Sequence, residues 1–232
     1  MANVERITTD SAPRPAGHYS QACAHEGLIF VSGQLPITPE GKVLGDKNFE
    51  EQTRQAITAG ATIGTHLFNA MRPLASREPG PIAAALEDAG AWFGMIVDGE
   101  HVAPAMLQLA LRGAGKAMLV TDAMPPVGAS SKSLRLYGQP ITVRGGRCTT
   151  ADGTLAGSVL DMASAVRNCV RMLDLPLAEA LPLATTAPAA FLGVGGWLGR
   201  LAPGYRADLV ALDPDTVDVF ATWVAGTPSA TA

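Results

Sequence analysis

A chain of 232 residues with 47% hydrophobic and 16% charged residues has the composition of a core-forming globular protein, which excludes a disordered one. The net charge of −4 gives no reason to expect nucleic acid as a partner, and no apolar run reaches the roughly 18–20 residues of a membrane span. The N-terminus has no apolar signal core and the three cysteines lie far apart, so we expect free thiols and a cytoplasmic location.

The first part of the chain predicts a small hairpin followed by a helix. Apolar runs at 22–27 and 28–35 are punctuated by Gly27 and Gly33, which is typical of two short strands. A helix is predicted to begin near Asn48 and to continue through "FEEQTRQAI".

From Gly60 onward the chain alternates between strands and helices. Strands are predicted at 61–68, 91–99 and 116–124, with helices over 80–90 and 103–115 between them. Such alternation predicts adjacent parallel strands joined by helical crossovers. Each strand ends in a polar residue, namely His66, Asp98 and Asp122, and functional residues of parallel sheets lie at these ends.

The remainder predicts antiparallel strands and helices. Strands are expected over 133–148, and a helix from Asp161 to Leu173 is expected to be capped by Ser158 together with Asp161. A second helix is expected over 177–193, bent at Pro182 or Pro188, and the tail alternates between strands and turns.

Three side chains are candidates for chemistry, although each also has a structural interpretation. A carboxylate at the mouth of a strand, such as Asp122, can take a proton from water and pass it to a leaving amine, or it can form a turn. His66 can be a metal ligand or a structural histidine, and His101 can be part of a functional site or only a residue at the start of a helix. A catalytic zinc needs about three protein ligands.

The combination of motifs is more specific than any one residue. "GTHLFNAM", "REPG", "DGEHV", "LVTDAM", "DGTLAGS" and "GRLAPGYRADLV" follow one another over residues 58–228. In this order they resemble the N-acetylglucosamine-6-phosphate deacetylase family of the amidohydrolase superfamily. The resemblance implies an α/β fold containing the last three strands of a (β/α)8 barrel, with C-terminal β-strands. It also implies hydrolysis of the N-acetyl group of the sugar phosphate with a divalent metal, commonly zinc.

The resemblance assigns a role to each matching position. His66 corresponds to a metal ligand, Asp122 to the catalytic acid and base, and Arg77 to the phosphate-binding arginine. The other matching positions correspond to substrate contacts, namely Asn69, Ala70, His101, Leu155, Ala156 and Gly157. A glutamate and a second histidine, which the family uses as further metal ligands on earlier strands, have no counterpart here, so we expect weak or absent activity.

Residues 1–57 resemble a different family. "GHYSQA" and "FVSGQLP" are similar to motifs of the reactive-intermediate (enamine/imine) deaminase family, in which Tyr19 and Ser32 correspond to pocket residues. The sequence therefore predicts a chimera of a deaminase-like hairpin-helix fragment, 1–57, and a deacetylase-like part, 58–232, joined near Ala56–Gly60. Alternative functions are a non-catalytic remnant and a deaminase-like module. The expected partners are a small amino-sugar phosphate and a second copy of the chain, with no nucleic acid and no membrane.

Overall fold

The computed structural model has an α/β arrangement, as the sequence predicted. It describes residues 5–10, 14, 20–25, 28–31, 38–42, 63–125, 127, 134–136 and 139–229. Within these ranges, four sheets of three or four strands are accompanied by five helices. None of these described helices has the length and apolar character needed to cross a membrane.

The N-terminal sheet contains three antiparallel strands. In spatial order they are β1 (Glu5–Ile7), β2 (Ala22–His25) and β3 (Leu28–Val31). His25 pairs with Leu28, so two residues connect β2 to β3, and the predicted hairpin is confirmed. Other predictions for this part fall on positions outside the described residues, namely Tyr19, Ser32, the helix from Asn48 and the junction Ala56–Gly60.

The central sheet is parallel, with strand order β4-β5-β6. Its elements in chain order are β4 (Ile63–Gly64), α1 (Gly80–Glu87), β5 (Trp92–Met95), α2 (Pro104–Ala110) and β6 (Lys116–Leu119). Trp92 of β5 pairs with Ile63 on one side and with Lys116 on the other. The predicted strand-helix alternation and the adjacency of the three strands are therefore confirmed.

The core is centred on β5. Phe93, Met95, Ile96 and Val97 are all fully buried, so consecutive residues are covered on both faces of the sheet. A continuous apolar run of this kind is typical of a parallel strand between layers of helices. Burying one such large side chain contributes roughly 1.5–3 kcal/mol, so the buried run 93–97 stabilises β5 and the segment that leads from it to Asp98.

A four-stranded antiparallel sheet follows β6. Its order is β10-β9-β8-β7, formed by β7 (Leu134–Leu136), β8 (Gln139–Arg144), β9 (Arg147–Thr149) and β10 (Leu155–Ser158). Arg144 pairs with Arg147 across a two-residue turn in which Gly145 and Gly146 both have positive φ, 58° and 86°. Only glycine adopts both values readily, so the "GG" pair determines where this hairpin turns.

The third helix, α3 (Met162–Leu173), begins one residue later than predicted and with a different cap. Asp161 is the N-cap, and its carboxylate accepts a hydrogen bond from the backbone N–H of Ser164 at 2.8 Å. The predicted capping role of Ser158 is wrong, because Ser158 is fully buried and belongs to β10.

The single helix predicted over 177–193 is two helices, α4 (Leu177–Ala184) and α5 (Thr186–Phe191). The break falls at Thr185, where φ is −129° and ψ is −79°. Pro188 explains it, because proline has no N–H for the carbonyl of Ala184 and its ring clashes with that carbonyl. The tail then forms an antiparallel sheet of β11 (Leu209–Leu212), β12 (Val219–Val224) and β13 (Thr227–Pro228).

Gly94 in the central strand β5 provides a test of how tightly β5 packs against the residues that follow β6. A methyl group at this position would lie 2.9 and 3.0 Å from the two Cγ atoms of Val120, a side chain that is stiff about χ1. We expect Gly94→Ala to lower the free energy of unfolding by about 1–3 kcal/mol in a urea titration. The control is Gly64→Ala, where the nearest atoms are 3.7 Å away and we expect a change of about 1 kcal/mol or less. Equal midpoints for the two variants would contradict this packing.

Candidate active site

The candidate site lies at the carboxyl edge of the parallel sheet. His66 follows β4 by two residues, and Asp98 and Asp122 follow β5 and β6 by three. Backbone hydrogen bonds continue beyond the strands, from Leu67 N to Gly94 O at 2.8 Å and from Val120 N to Met95 O at 3.0 Å. All three polar residues therefore leave the sheet at the same edge, as predicted.

Asp98 and His101 form a buried, closely bonded pair. His101 Nδ1 lies 2.6 Å from Asp98 Oδ2, and only 4% and 8% of the two side chains are exposed. The other carboxylate oxygen, Oδ1, accepts hydrogen bonds from the backbone N–H groups of Glu100 and His101, both at 2.9 Å. One aspartate thus shapes the turn after β5 and also orients the imidazole on it.

These contacts shift the pKa values of both groups. Burial by itself raises the pKa of Asp98, but the hydrogen bonds from His101 and from the backbone N–H groups outweigh it, and the pKa is lowered. The hydrogen bond to Asp98 raises the pKa of His101 more than burial lowers it, and the nearby charges of Asp122 and Glu100 act in the same direction. The pair is therefore biased towards a carboxylate beside an imidazolium.

Asp122 is on the other side of His101. Its Oδ2 lies 3.8 Å from His101 Nε2, and 45% of its side chain is exposed. The backbone of Asp122 has a positive φ of 50°, which is uncommon for a residue other than glycine. This residue consequently presents a solvent-accessible carboxylate to the free nitrogen of a buried imidazole.

Ser158 holds the backbone around Asp122. Its N–H donates to Asp122 O at 2.8 Å, its carbonyl accepts from Met124 N at 2.8 Å, and its hydroxyl donates to Thr121 O. These bonds join the end of β10 to the segment after β6 as an isolated parallel bridge. They offset the cost of the unusual backbone at Asp122, which for such conformations is of order 1–3 kcal/mol.

The predicted sugar-lining loop lies against Asp122. Leu155 and Ala156 are half-buried residues of β10, and Gly157 next to them has a φ of 99°. A side chain at Gly157 would collide with Met124 at 2.6 Å and would come within 3.0 Å of Asp122 O. Glycine is therefore needed here for the close approach of β10 to the strand end.

His66, Asn69 and Ala70 occupy a tight turn after β4. His66 and Ala70 have positive φ values of 37° and 54°, and Phe68 between them has 78°. Asn69 supports the turn, since its side chain and its backbone N–H both donate to His66 O, at 3.2 and 2.9 Å. Backbone outliers of this kind cluster at ligand and catalytic sites.

The imidazole of His66 has an unusual environment. Its Nδ1 is buried and has no hydrogen-bond partner among the described residues. An orphaned nitrogen fits one position of a metal centre. In the part of the chain that the structure describes, however, no group of three or more His, Cys, Asp or Glu side chains is arranged to hold a metal ion.

Arg77 is exposed on the loop before α1. Among the described residues it makes no hydrogen bond or ion pair, whereas Arg72 on the same loop lies 3.5 Å from Glu78. The guanidinium of Arg77 is therefore available to an anion, and that of Arg72 is already paired.

Two residues of the site carry roles that the sequence reasoning did not assign. The sequence marks Asp98 only as a strand-end residue, although its spacing of three from His101 is a local signal for the pair. For Ser158 the sequence predicts a helix cap, and no local signal reveals its bonds to the strand end 36 or 37 residues earlier.

The chain belongs to the amidohydrolase family, whose sequence model matches residues 37–231. A second family model, described as endoribonuclease L-PSP, matches residues 9–63. Two different families therefore match the two ends of the chain, which confirms the two resemblances found in the sequence.

Relatives within the family are amino-sugar-phosphate deacetylases. The N-acetylgalactosamine-6-phosphate deacetylase of Escherichia coli O157:H7 is 43% identical over 177 residues, covering 76% of this chain and 47% of that protein. The N-acetylglucosamine-6-phosphate deacetylase structure from Pasteurella multocida has a TM-score of 0.74 at 35% identity, over 79% of this chain and 48% of that one. The N-acetylglucosamine-6-phosphate deacetylase structure from Mycobacterium smegmatis is an aspartate-to-alanine variant in complex with N-acetylglucosamine 6-phosphate. It has a TM-score of 0.70 at 42% identity, over 78% of this chain and 48% of that one. The chain spans about half the length of these relatives.

The Asp98–His101 pair predicts a defined dependence of stability on pH. The ordinary pKa values are 3.8 for Asp98 and 6.5 for His101. Because the folded pKa of Asp98 is lowered, its contribution is present above pH 3.8 and is lost as pH falls through the lowered value. Because the folded pKa of His101 is raised, its contribution is complete below pH 6.5 and is lost as pH rises through the raised value.

We therefore expect the difference in unfolding free energy between wild type and Asp98→Asn to be largest between pH 3.8 and 6.5. Denaturant titrations of both proteins across pH 3–9 measure it, with Asp88→Asn as the control. Asp88 accepts a bond from Gly90 N at 2.7 Å but is exposed and has no histidine partner among the described residues. A difference that is constant with pH would contradict the assignment.

Proposed function

We propose that this chain hydrolyses the N-acetyl group of an amino sugar 6-phosphate, the class of substrate for which its relatives are named. The observation that carries the proposal is the arrangement of His101 and Asp122, in which Nε2 and Oδ2 lie 3.8 Å apart at the sheet edge. That separation exceeds a hydrogen bond, so both groups remain free to contact a substrate. His101 is buried and its raised pKa favours the imidazolium, whereas the carboxylate of Asp122 is accessible to solvent.

In the proposed reaction Asp122 is the general base and then the general acid. It takes a proton from the water whose oxygen attacks the amide carbon, and it returns that proton to the sugar nitrogen as the C–N bond breaks. His101 is the imidazolium that its bond to Asp98 favours, and its Nε2–H donates to the amide oxygen, where negative charge develops. Acetate and the free amine are the products.

Residues around this pair are proposed to hold the sugar phosphate. Arg77 would bind the phosphate, since a guanidinium presents paired donors and this one has no other partner among the described residues. The turn after β4 and the glycine-containing end of β10 would contact the sugar through Asn69, Ala70, Leu155, Ala156 and Gly157. The relatives include both galacto and gluco deacetylases, so we propose the amino-sugar 6-phosphate class without choosing between the two epimers.

We propose His66 as one ligand of a divalent metal, which by resemblance is zinc. The buried, unpartnered Nδ1 supports this assignment. A catalytic zinc has about three protein ligands, so the remaining donors would come from outside the described residues. We propose that a chain lacking those donors turns over slowly, and that a second copy of the chain is one source that could supply them.

We also propose that the chain has two parts, 1–57 and 58–232, and that only the second contributes to this site. All proposed substrate and proton-transfer residues lie between His66 and Gly157. The match of the amidohydrolase model to residues 37–231 supports assigning the second part to that family.

Acetate release tests the catalytic proposal. We expect the purified chain with added zinc to release acetate from either epimer of the N-acetylated sugar 6-phosphate below the common enzyme range of roughly 1–10³ per second. In Asp122→Asn the release should fall by about a hundredfold or more, because the amide cannot take the proton. A wild-type rate within the common range would contradict the expected shortage of metal donors, and equal rates in both proteins would contradict the role of Asp122.

Phosphate recognition is tested by comparing two arginines of one loop. We expect Arg77→Ala to weaken binding of N-acetylglucosamine 6-phosphate by about tenfold or more, since a charge-assisted bond contributes roughly 1.5–3 kcal/mol. Arg72→Ala should have little effect, because Arg72 pairs with Glu78. Calorimetry with the phosphorylated sugar and with N-acetylglucosamine separates a phosphate effect from a general loss of binding. Equal losses for the two variants would contradict the assignment of Arg77.

A further inference from the structure

Among the acidic groups that the described ranges place near His101, Asp98 alone bonds to the ring nitrogen that faces away from Asp122. The distance from His101 Nδ1 to Asp98 Oδ2 is 2.6 Å, whereas Nε2 is 3.8 Å from Asp122 Oδ2. Glu100 also carries charge close to the ring, but its carboxylate pairs with Arg147 at 3.1 Å. The two imidazole nitrogens thus have separate partners, one buried and one half-exposed.

The Asp98 carboxylate has its own position determined by the backbone. Its Oδ1 accepts from Glu100 N and His101 N, both at 2.9 Å, so the side chain cannot rotate without breaking two bonds of the turn. With Oδ1 occupied in this way, Oδ2 is directed at the imidazole. A carboxylate has no proton to donate when it is ionised, so in a neutral imidazole the bonded nitrogen must be the one that carries the hydrogen.

We propose that Asp98 is a positioning residue of this site, which keeps a hydrogen on Nδ1 of His101, so that a hydrogen on Nε2 beside Asp122 makes the ring a cation that can donate to the amide oxygen. The proposal rests on the proposed deacetylase function for its effect on the reaction. Asp98 would not touch the substrate, since its two oxygens are occupied by the turn and by the imidazole.

Substitution by asparagine distinguishes Asp98 from an aspartate that only builds a turn. Asparagine at this position can still accept the two backbone N–H bonds through its own Oδ1. Its Nδ2 group, however, donates a hydrogen bond where Oδ2 accepted one. Neutral His101 would then accept at Nδ1 and carry its proton on Nε2, which is the inverted tautomer. The same exchange in Ser-His-Asp hydrolases keeps the geometry but impairs the reaction through the wrong tautomer.

Nitrogen-15 NMR of the full chain tests this assignment directly. Spectra recorded above the pKa of His101, where the ring is neutral, distinguish the protonated nitrogen from the bare one, and His101→Gln identifies which signals belong to this residue. We expect the wild type to carry hydrogen on Nδ1 and Asp98→Asn to carry it on Nε2. Asp88→Asn removes a charge from another aspartate that bonds to the backbone, and it should leave the spectrum of His101 unchanged.

Acetate release with added zinc provides the second readout. We expect kcat of Asp98→Asn to fall by about a hundredfold, the low end of the cost of losing a group that stabilises a developing oxyanion, because neutral His101 no longer presents a cation to the amide oxygen; KM should change much less. Asp88→Asn should retain the wild-type kcat. A rise in KM alone, with kcat preserved, would mean that only substrate binding is weakened, and it would overturn the positioning role.

The two readouts separate failure of this inference from failure of the proposed function. A wild-type spectrum with hydrogen on Nε2, or a tautomer unchanged in Asp98→Asn, would overturn the role of Asp98 whatever the activity. Because the wild-type spectrum is decisive alone, the test holds even if the variant does not fold. Absence of acetate release from the wild type, with the expected tautomers in both proteins, would count against the deacetylase proposal and would support the assignment of Asp98 to His101.

Discussion

The parallel pairing of β4, β5 and β6 is the constraint on which the rest of the site depends. Parallel strands bring their carboxyl ends to one edge, so His66, Asp98 and Asp122 leave the sheet together although they are far apart in the sequence. Because β5 pairs with β4 on one side and with β6 on the other, the register of these pairs determines how far each of the three residues extends beyond the sheet. The absence of a Cβ at Gly94 permits the close packing of these strand ends, because a methyl group there would clash with Val120 and approach the backbone of His66.

Backbone conformation at the sheet edge is unusual in a consistent way. Positive φ values occur at His66, Phe68, Ala70 and Asp122, all in segments that directly follow a strand. Such conformations persist only where surrounding contacts over-determine them. For Asp122 those contacts come from Ser158, whose backbone and hydroxyl bond to the same segment. The antiparallel sheet that ends in β10 thus contributes to the geometry of a residue outside it.

The two aspartates around His101 have different environments and are suited to different roles. Asp98 is buried, bonded through both oxygens and held ionised, so it is poorly placed to accept a proton from a substrate. Asp122 is nearly half-exposed and meets the imidazole only at 3.8 Å. Separation of this kind is how one site assigns distinct functions to chemically identical groups. A buried pair is costly to break, because removing one partner leaves the other charge uncompensated.

The amino-acid sequence by itself determined the alternation of strands and helices, the polar residues at the strand ends and the helix that ends at Leu173. These features follow from local periodicity and from residue propensities, which act over a few neighbouring positions. The break at Thr185 could be located only approximately, since two prolines were available and the backbone geometry favours Pro188. Tertiary structure alone decided that Ser158 bonds to Thr121 and Asp122, and that His101 faces Asp122. Those contacts join segments that are distant in the chain, and their formation depends on sheet pairing and close packing that no local pattern specifies.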